Sequence, residues 1–199
     1  MIAIIDYGAG NIFSVKNALD YLGVENKLTA DKNEICAADE IILPGVGAFP
    51  WAMKMLRDSG LVDTIREEAR KKPFLGICLG MQLIFDKGYE FEETDGLRLI
   101  GGKVEKIDRK DMIIPHMGWN ELEINRDCPI LKSLPEHPYV YFVHSYAAVC
   151  DEANVSAYCD YGGKITALVH DGAYVYGAQF HPEKSGDTGL RILKAFSEL

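Results

Sequence analysis

The chain has 199 residues, 48% of them hydrophobic, which is enough for a packed core and too apolar for a disordered segment. Its 30 acidic and 21 basic residues leave a formal charge of −9, which argues against general nucleic-acid binding and against attachment to an anionic membrane. The five cysteines are odd in number, scattered and without a CxxC pair, so neither a disulfide framework nor a zinc site is suggested.

The first apolar run, residues 2–5, reads as a buried strand ended by Asp6-Tyr7-Gly8-Ala9-Gly10-Asn11. It is too short for a secretory leader and lacks a basic flank, and no later run approaches the ~20 apolar residues of a membrane span. The cytoplasm is therefore the expected location. A helix follows, with Ile12, Val15, Leu19 and Leu22 on one face and Gly23 as its stop. A weaker strand is expected over 25–28 and a clear one over 40–43, ended by Pro44-Gly45-Val46-Gly47. Residues 49–56 and 61–69 read as helices broken near Ser59-Gly60, and 74–77 as a strand leading into Cys78. Such βαβα alternation predicts an α/β fold: an open, mostly parallel sheet with helices on both faces.

The second half changes character. Strand-like runs dominate at 103–107, 121–124, 140–143, 155–158, 166–169 and 174–180, separated by turn clusters such as Tyr161-Gly162-Gly163-Lys164. A helix from about 188 to 199 closes the chain, with Leu190, Leu193 and Phe196 roughly on one side. An antiparallel portion added to one domain over 1–199 is the expected organisation, since no linker or repeat is visible.

Sites in open parallel sheets form beyond the carboxyl ends of the strands. Cys78 lies at such an end, with Gly76 and Gly80 two places either side, the pattern of a strand, a sharp turn and a helix start. Free N–H groups at that helix start would favour a negative sulfur. His181 and Glu183, two apart around Pro182, follow the late strand at 174–180. In an extended chain both would share one face, as a base and its carboxylate orienter. Gly45, Val46 and Gly47 can present backbone N–H groups to an oxyanion, with the Leu79 N–H as the natural second donor. His116, His137, His144 and His170 share no ligand spacing, so no metal is expected. After the first strand, Gly8-x-Gly10 would need its third glycine at Phe13, so the dinucleotide fingerprint is rejected.

Gly76-Ile77-Cys78-Leu79-Gly80-Met81-Gln82, Pro44-Gly45-Val46-Gly47 and His181-Pro182-Glu183 resemble the motifs of class I (triad) glutamine amidotransferases, a flavodoxin-like fold, over essentially the whole length. Within that class, Asp6 to Asn11, Leu43 to Phe49, Pro115-His116-Met117-Gly118-Trp119-Asn120 and Tyr141 to Tyr146 are similar to the glutaminase subunits of imidazole glycerol phosphate synthases. The resemblance implies that Cys78 forms a thioester with glutamine, His181 shuttles protons and Glu183 supports it. It implies oxyanion donors at Val46 and Leu79, a glycine-rich strand able to rearrange at Gly45 and Gly47, and glutamine contacts at Gln82, His144, Ser145 and Tyr146. Asn11, Trp119 and Lys184 would face a (β/α)8-barrel cyclase partner in a heterodimer that uses the ammonia for histidine biosynthesis. No cofactor is implied.

Other readings fit the same residues: a glutaminase serving an anthranilate or pyridoxal phosphate synthase, or a stand-alone cysteine hydrolase. A further one is a non-catalytic flavodoxin-like module, in which Tyr7, Trp119 and Tyr146 would stack a ligand.

Overall fold

The computed structural model describes residues 1–199. The first half runs β1 (Ile2–Ile5), α1 (Ile12–Tyr21), β2 (Asn26–Thr29), α2 (Lys32–Ala37), β3 (Glu40–Gly45), α3 (Phe49–Asp58), α4 (Val62–Glu68), β4 (Phe74–Cys78) and α5 (Leu79–Leu83). Seven short-to-medium strands follow: β5 (Lys87–Gly88), β6 (Thr94–Asp95), β7 (Gly102–Lys106), β8 (His116–Glu121), β9 (Glu123–Ile124), β10 (Tyr139–His144) and β11 (Tyr146–Cys150). The chain ends with β12 (Val155–Asp160), β13 (Lys164–His170), β14 (Val175–Ala178) and α6 (Gly186–Phe196).

One eight-stranded sheet has the order β2-β1-β3-β4-β14-β13-β12-β9. Its first five strands pair in parallel, and β14, β13, β12 and β9 pair antiparallel. The expected architecture of a parallel sheet with an antiparallel portion is what the fold shows. Alternating side chains divide the core. Ile2, Ile4, Ile42, Leu75 and Ile77 join Val15, Leu19, Ile192, Leu193 and Phe196 of α1 and α6. On the opposite face Ile5, Ile41, Leu43 and Phe74 meet Ile35, Phe49, Met53, Leu56 and Ile65 of α2, α3 and α4. A strand buried on both faces is apolar along most of its length, which explains why β1, β4 and residues 41–43 of β3 read as unbroken runs.

Two smaller sheets, β10-β8 and β11-β7-β5-β6, complete the molecule. Here the expected elements needed correction. The strand placed at 121–124 is two pieces, since β8 already covers His116–Glu121 and β9 only Glu123–Ile124. The strand placed at 174–180 stops at Ala178, leaving Gln179 and Phe180 to lead out of the sheet. The last helix begins at Gly186 and not near 188. No helix is long and apolar enough to cross a membrane.

Candidate active site

Cys78 ends β4 and opens α5 with φ 55° and ψ −111°. A left-handed φ costs a side-chain-bearing residue about 1–2 kcal/mol, and close packing around the turn holds it there. A Cβ on Gly80 would sit 1.8 Å from the Leu43 carbonyl oxygen, and one on Gly76 would sit 2.6 Å from the Gly80 carbonyl oxygen. The two glycines let α5 press against β3 and β4, so the thiol has to leave the sheet at the turn. The sulfur-bearing residue is 6% exposed.

His181 lies just past the end of the neighbouring strand, β14. β14 pairs in parallel with β4, with Ala178 opposite Ile77, so thiol and imidazole emerge at the same end of adjacent strands. The His181 N–H donates to the Tyr141 carbonyl at 3.0 Å, and Ser185 Oγ donates to the His181 carbonyl at 2.6 Å. Residues Pro182–Lys184 form one turn of 3-10 helix. The extended geometry expected for His181-Pro182-Glu183 is thus replaced by a turn, for which the fixed φ of proline at the first helical position is well suited. The turn still brings Glu183 Oε1 to 2.8 Å from His181 Nδ1, both side chains being almost fully buried. The other carboxylate oxygen of Glu183 is buried without a protein partner.

Burial alone would push the His181 ring down. The Cys78 sulfur, a hydrogen-bonding and charge partner, and the Glu183 carboxylate outweigh it, and the ring is pushed up to about 9. At neutral pH the ring is then a cation facing a sulfur on one side and a carboxylate on the other.

Cys78 and His181 line a cavity of about 310 Å³. Val46, Gly47, Leu79, Gln82, His144, Ser145 and Tyr146, all singled out from the sequence, line it as well. Gly45 does not; it packs against Leu79, Gly80 and the Tyr7 hydroxyl. Lys184, expected to face a partner, is exposed and also lines this cavity. Trp119 is 53% exposed on β8, edge-on to Tyr141. Asn11 precedes α1, and its Oδ1 accepts from Ser14 Oγ at 2.8 Å. Tyr7, a stacking candidate under the non-catalytic reading, is buried and donates its hydroxyl to the Pro44 carbonyl at 3.1 Å.

Two polar side chains at the site carry no local sequence signal. Glu90 lines the cavity, and its Oε2 accepts the N–H of Phe49 at the start of α3. In sequence it belongs to an acidic stretch that reads as a solvated loop. Gln179 is fully buried, with its Nε2 3.9 Å from the Cys78 sulfur. Gln82 Nε2 donates both to the Tyr146 carbonyl and to Gln179 Oε1, each at 3.0 Å. His144 contacts that same carbonyl through Nδ1 at 2.8 Å and His116 through Nε2 at 3.0 Å, and burial pushes its ring down to about 4. A wider depression of about 1080 Å³ between α3 and residues 91–95 contains no cysteine or histidine. Nowhere do three or more His, Cys, Asp or Glu side chains gather as a metal site.

The sequence model of the family described as "Glutamine amidotransferase class-I" matches residues 3–198. The chain belongs to the class-I glutamine amidotransferases. Among relatives of this amidotransferase, "Imidazole glycerol phosphate synthase subunit HisH" of Listeria monocytogenes serotype 4a (strain HCC23) is 50% identical over 201 residues, covering 100% of this chain and 96% of that one. The protein of the same name from Bacillus cereus (strain G9842) is 50% identical over 197 residues, covering 98% and 93%. Among solved structures, one described as "Crystal structure of glutamine amidotransferase" superposes with a TM-score of 0.76 at 22% identity, covering 98% of this chain and 99% of that one. A glutamine amidotransferase from Thermotoga maritima gives 0.64 at 16% identity, covering 99% and 82%. At such identities these structures speak for the fold alone.

Proposed function

We propose that this amidotransferase is the glutaminase subunit of an imidazole glycerol phosphate synthase. It hydrolyses glutamine to glutamate and ammonia at Cys78 and passes the ammonia to a cyclase partner of (β/α)8-barrel fold, in the cytoplasm. The observation that supports the chemistry most directly is His181, buried with Glu183 on one side and the Cys78 sulfur on the other. The relatives' shared name supports the choice of pathway and the existence of a partner subunit.

The reaction follows from the geometry. The Cys78 thiolate attacks the side-chain amide carbon of glutamine. The oxygen becomes an anion, met by the Leu79 N–H and a backbone N–H of the Val46–Gly47 segment, each such donor being worth about 3–4 kcal/mol. The His181 imidazolium protonates the departing nitrogen, the C–N bond breaks, and ammonia leaves behind a thioester. His181, now neutral, takes a proton from water as that water attacks the thioester. Glutamate is released and the thiolate–imidazolium pair is restored. Glu183 fixes the ring and balances its charge throughout. Glu90 is the one acidic and Lys184 the one lysine side chain of the lining, suited to the ammonium and carboxylate of a free amino acid.

Ammonia is mostly protonated in neutral water and then is no nucleophile, so a direct transfer to the partner preserves its reactivity. The test is glutamate release by the full chain, with and without the cyclase and its nucleotide substrate. Low release alone, strong stimulation by both together and none from Cys78→Ala are expected. Equal rates with and without the partner would sink the coupling.

A further inference from the structure

The hydrogen bonds behind the nucleophile have a direction that can be read from one atom. The Tyr146 carbonyl oxygen can only accept. The Gln82 amide group 3.0 Å from it must therefore be the NH2 end. The second N–H of that same nitrogen points at Gln179, also at 3.0 Å, so the Gln179 atom there must be the carbonyl oxygen. The Gln179 NH2 is then left on the other side, 3.9 Å from the Cys78 sulfur. An amide free to rotate can offer a sulfur either an acceptor or a donor; here a backbone carbonyl two residues away in the network decides for the donor. Gln179 is fully buried and does not line the substrate cavity. Its N–H therefore approaches the sulfur from behind, and no bound substrate needs to displace it.

We infer that Gln179 is a second, fixed donor to the Cys78 thiolate, held in its donating orientation by the Tyr146 carbonyl through Gln82. This deepens the glutaminase reading and rests on Cys78 being the nucleophile. Each element supplies what the others lack. His181 provides a charge that changes during the reaction, whereas the Gln179 N–H stays in place in every step. The same carbonyl also accepts from His144 at 2.8 Å, so β11 anchors the network where it meets the cavity wall. Gln179 also spans from β14 toward α5, which ties the sulfur's position to the strand that delivers His181.

The test is the pH dependence of Cys78 alkylation by iodoacetamide in the full chain, followed by the mass of the peptide that carries it. Gln179→Glu keeps the acceptor for Gln82 but turns a carboxylate toward the sulfur; Gln179→Met removes the donor without adding charge. Loss of a hydrogen bond to a charged group predicts roughly tenfold slower alkylation at pH 7 for the methionine variant and a larger loss for the glutamate variant. In both, the profile moves to higher pH. A purely structural role would lower thermal stability but leave that profile in place. A wild-type profile in Gln179→Met, with or without an effect of Gln179→Glu, overturns the inference. The readout needs no glutamine. If the wild type alkylates as described but never releases glutamate, the glutaminase reading fails while the donor role of Gln179 stands.

Discussion

Gly80→Ala adds one methyl group where the Leu43 carbonyl stands. The new Cβ would lie 1.8 Å from that oxygen, and ordinary contact begins at 3.4 Å, so the two must separate by the difference, 1.6 Å. β3 is bonded on one side to β1 and on the other to β4. A central strand held on both edges yields less than a five-residue helix, so α5 moves. Leu79 and Cys78 open that helix and move with it. Overpacking of this kind costs about 3 kcal/mol, which for a chain of this size lowers the melting temperature by about 6–12 °C. A shift of about 1 Å at reacting atoms is enough to cost ~100-fold in rate. The variant should therefore stay folded at room temperature yet react at least about 100-fold more slowly at Cys78 with an electrophilic glutamine analogue. Circular dichroism melts and peptide-resolved labelling measure the two effects. Wild-type labelling together with a melting temperature within about 2 °C of wild type would refute the tight elbow on which the site depends.

Glu183→Gln should lower glutamine turnover by about 10²–10⁴-fold with little change in KM, because the ring loses its charge partner and not the substrate pocket; turnover within about twofold of wild type would count against the triad. The raised His181 proton affinity also ties stability to pH. Its contribution is complete below the usual histidine value of about 6.5. It fades as the pH rises through about 9. Urea midpoints should therefore fall between pH 6.5 and 10 in the wild type and fall less in Cys78→Ala; parallel curves would contradict this origin. Gly47 has φ +98° with open space where a Cβ would go, so Gly47→Ala should lose about 1–2 kcal/mol from backbone strain alone, read as a lower urea midpoint. Trp119→Ala should leave iodoacetamide alkylation of Cys78 unchanged yet reduce stimulation by the cyclase about tenfold or more, and full stimulation would remove Trp119 from the interface.

Local patterns made much of this legible. The Cys78 elbow could be read because glycine is required at Gly76 and Gly80, and His181 and Glu183 because they sit together in the chain. What escaped depends on distance. Gln179 and Glu90 earn their positions through partners more than forty residues away, such as Phe49 for Glu90. β11, with Ala147 and Ala148 at its centre, has little intrinsic strand preference and exists because it pairs with β7. The short α2 did carry a signal, since Asp31 accepts from the N–H groups of Asn33 and Glu34, but six residues with one buried side chain hold no periodic stripe to recognise. Glu183 was legible as a partner of His181 but not through its mechanism, because a proline-started turn and an extended strand can both join residues two apart.

The pairing of β4 with β14 in the middle of the eight-stranded sheet also bears on how this protein fails. The nucleophile and its base hang from two strands that each have a further neighbour on the outer side, β3 and β13. Local opening of proteins begins at edges and termini, where few contacts have to break. Fraying of β2 or β9 therefore leaves the distance between sulfur and imidazole untouched. The catalytic register dissolves only with the cooperative unit that contains the core. On heating, amide protection in β4 and β14 and the labelling of Cys78 by an electrophilic glutamine analogue should be lost in one transition, with no folded but inactive form before it.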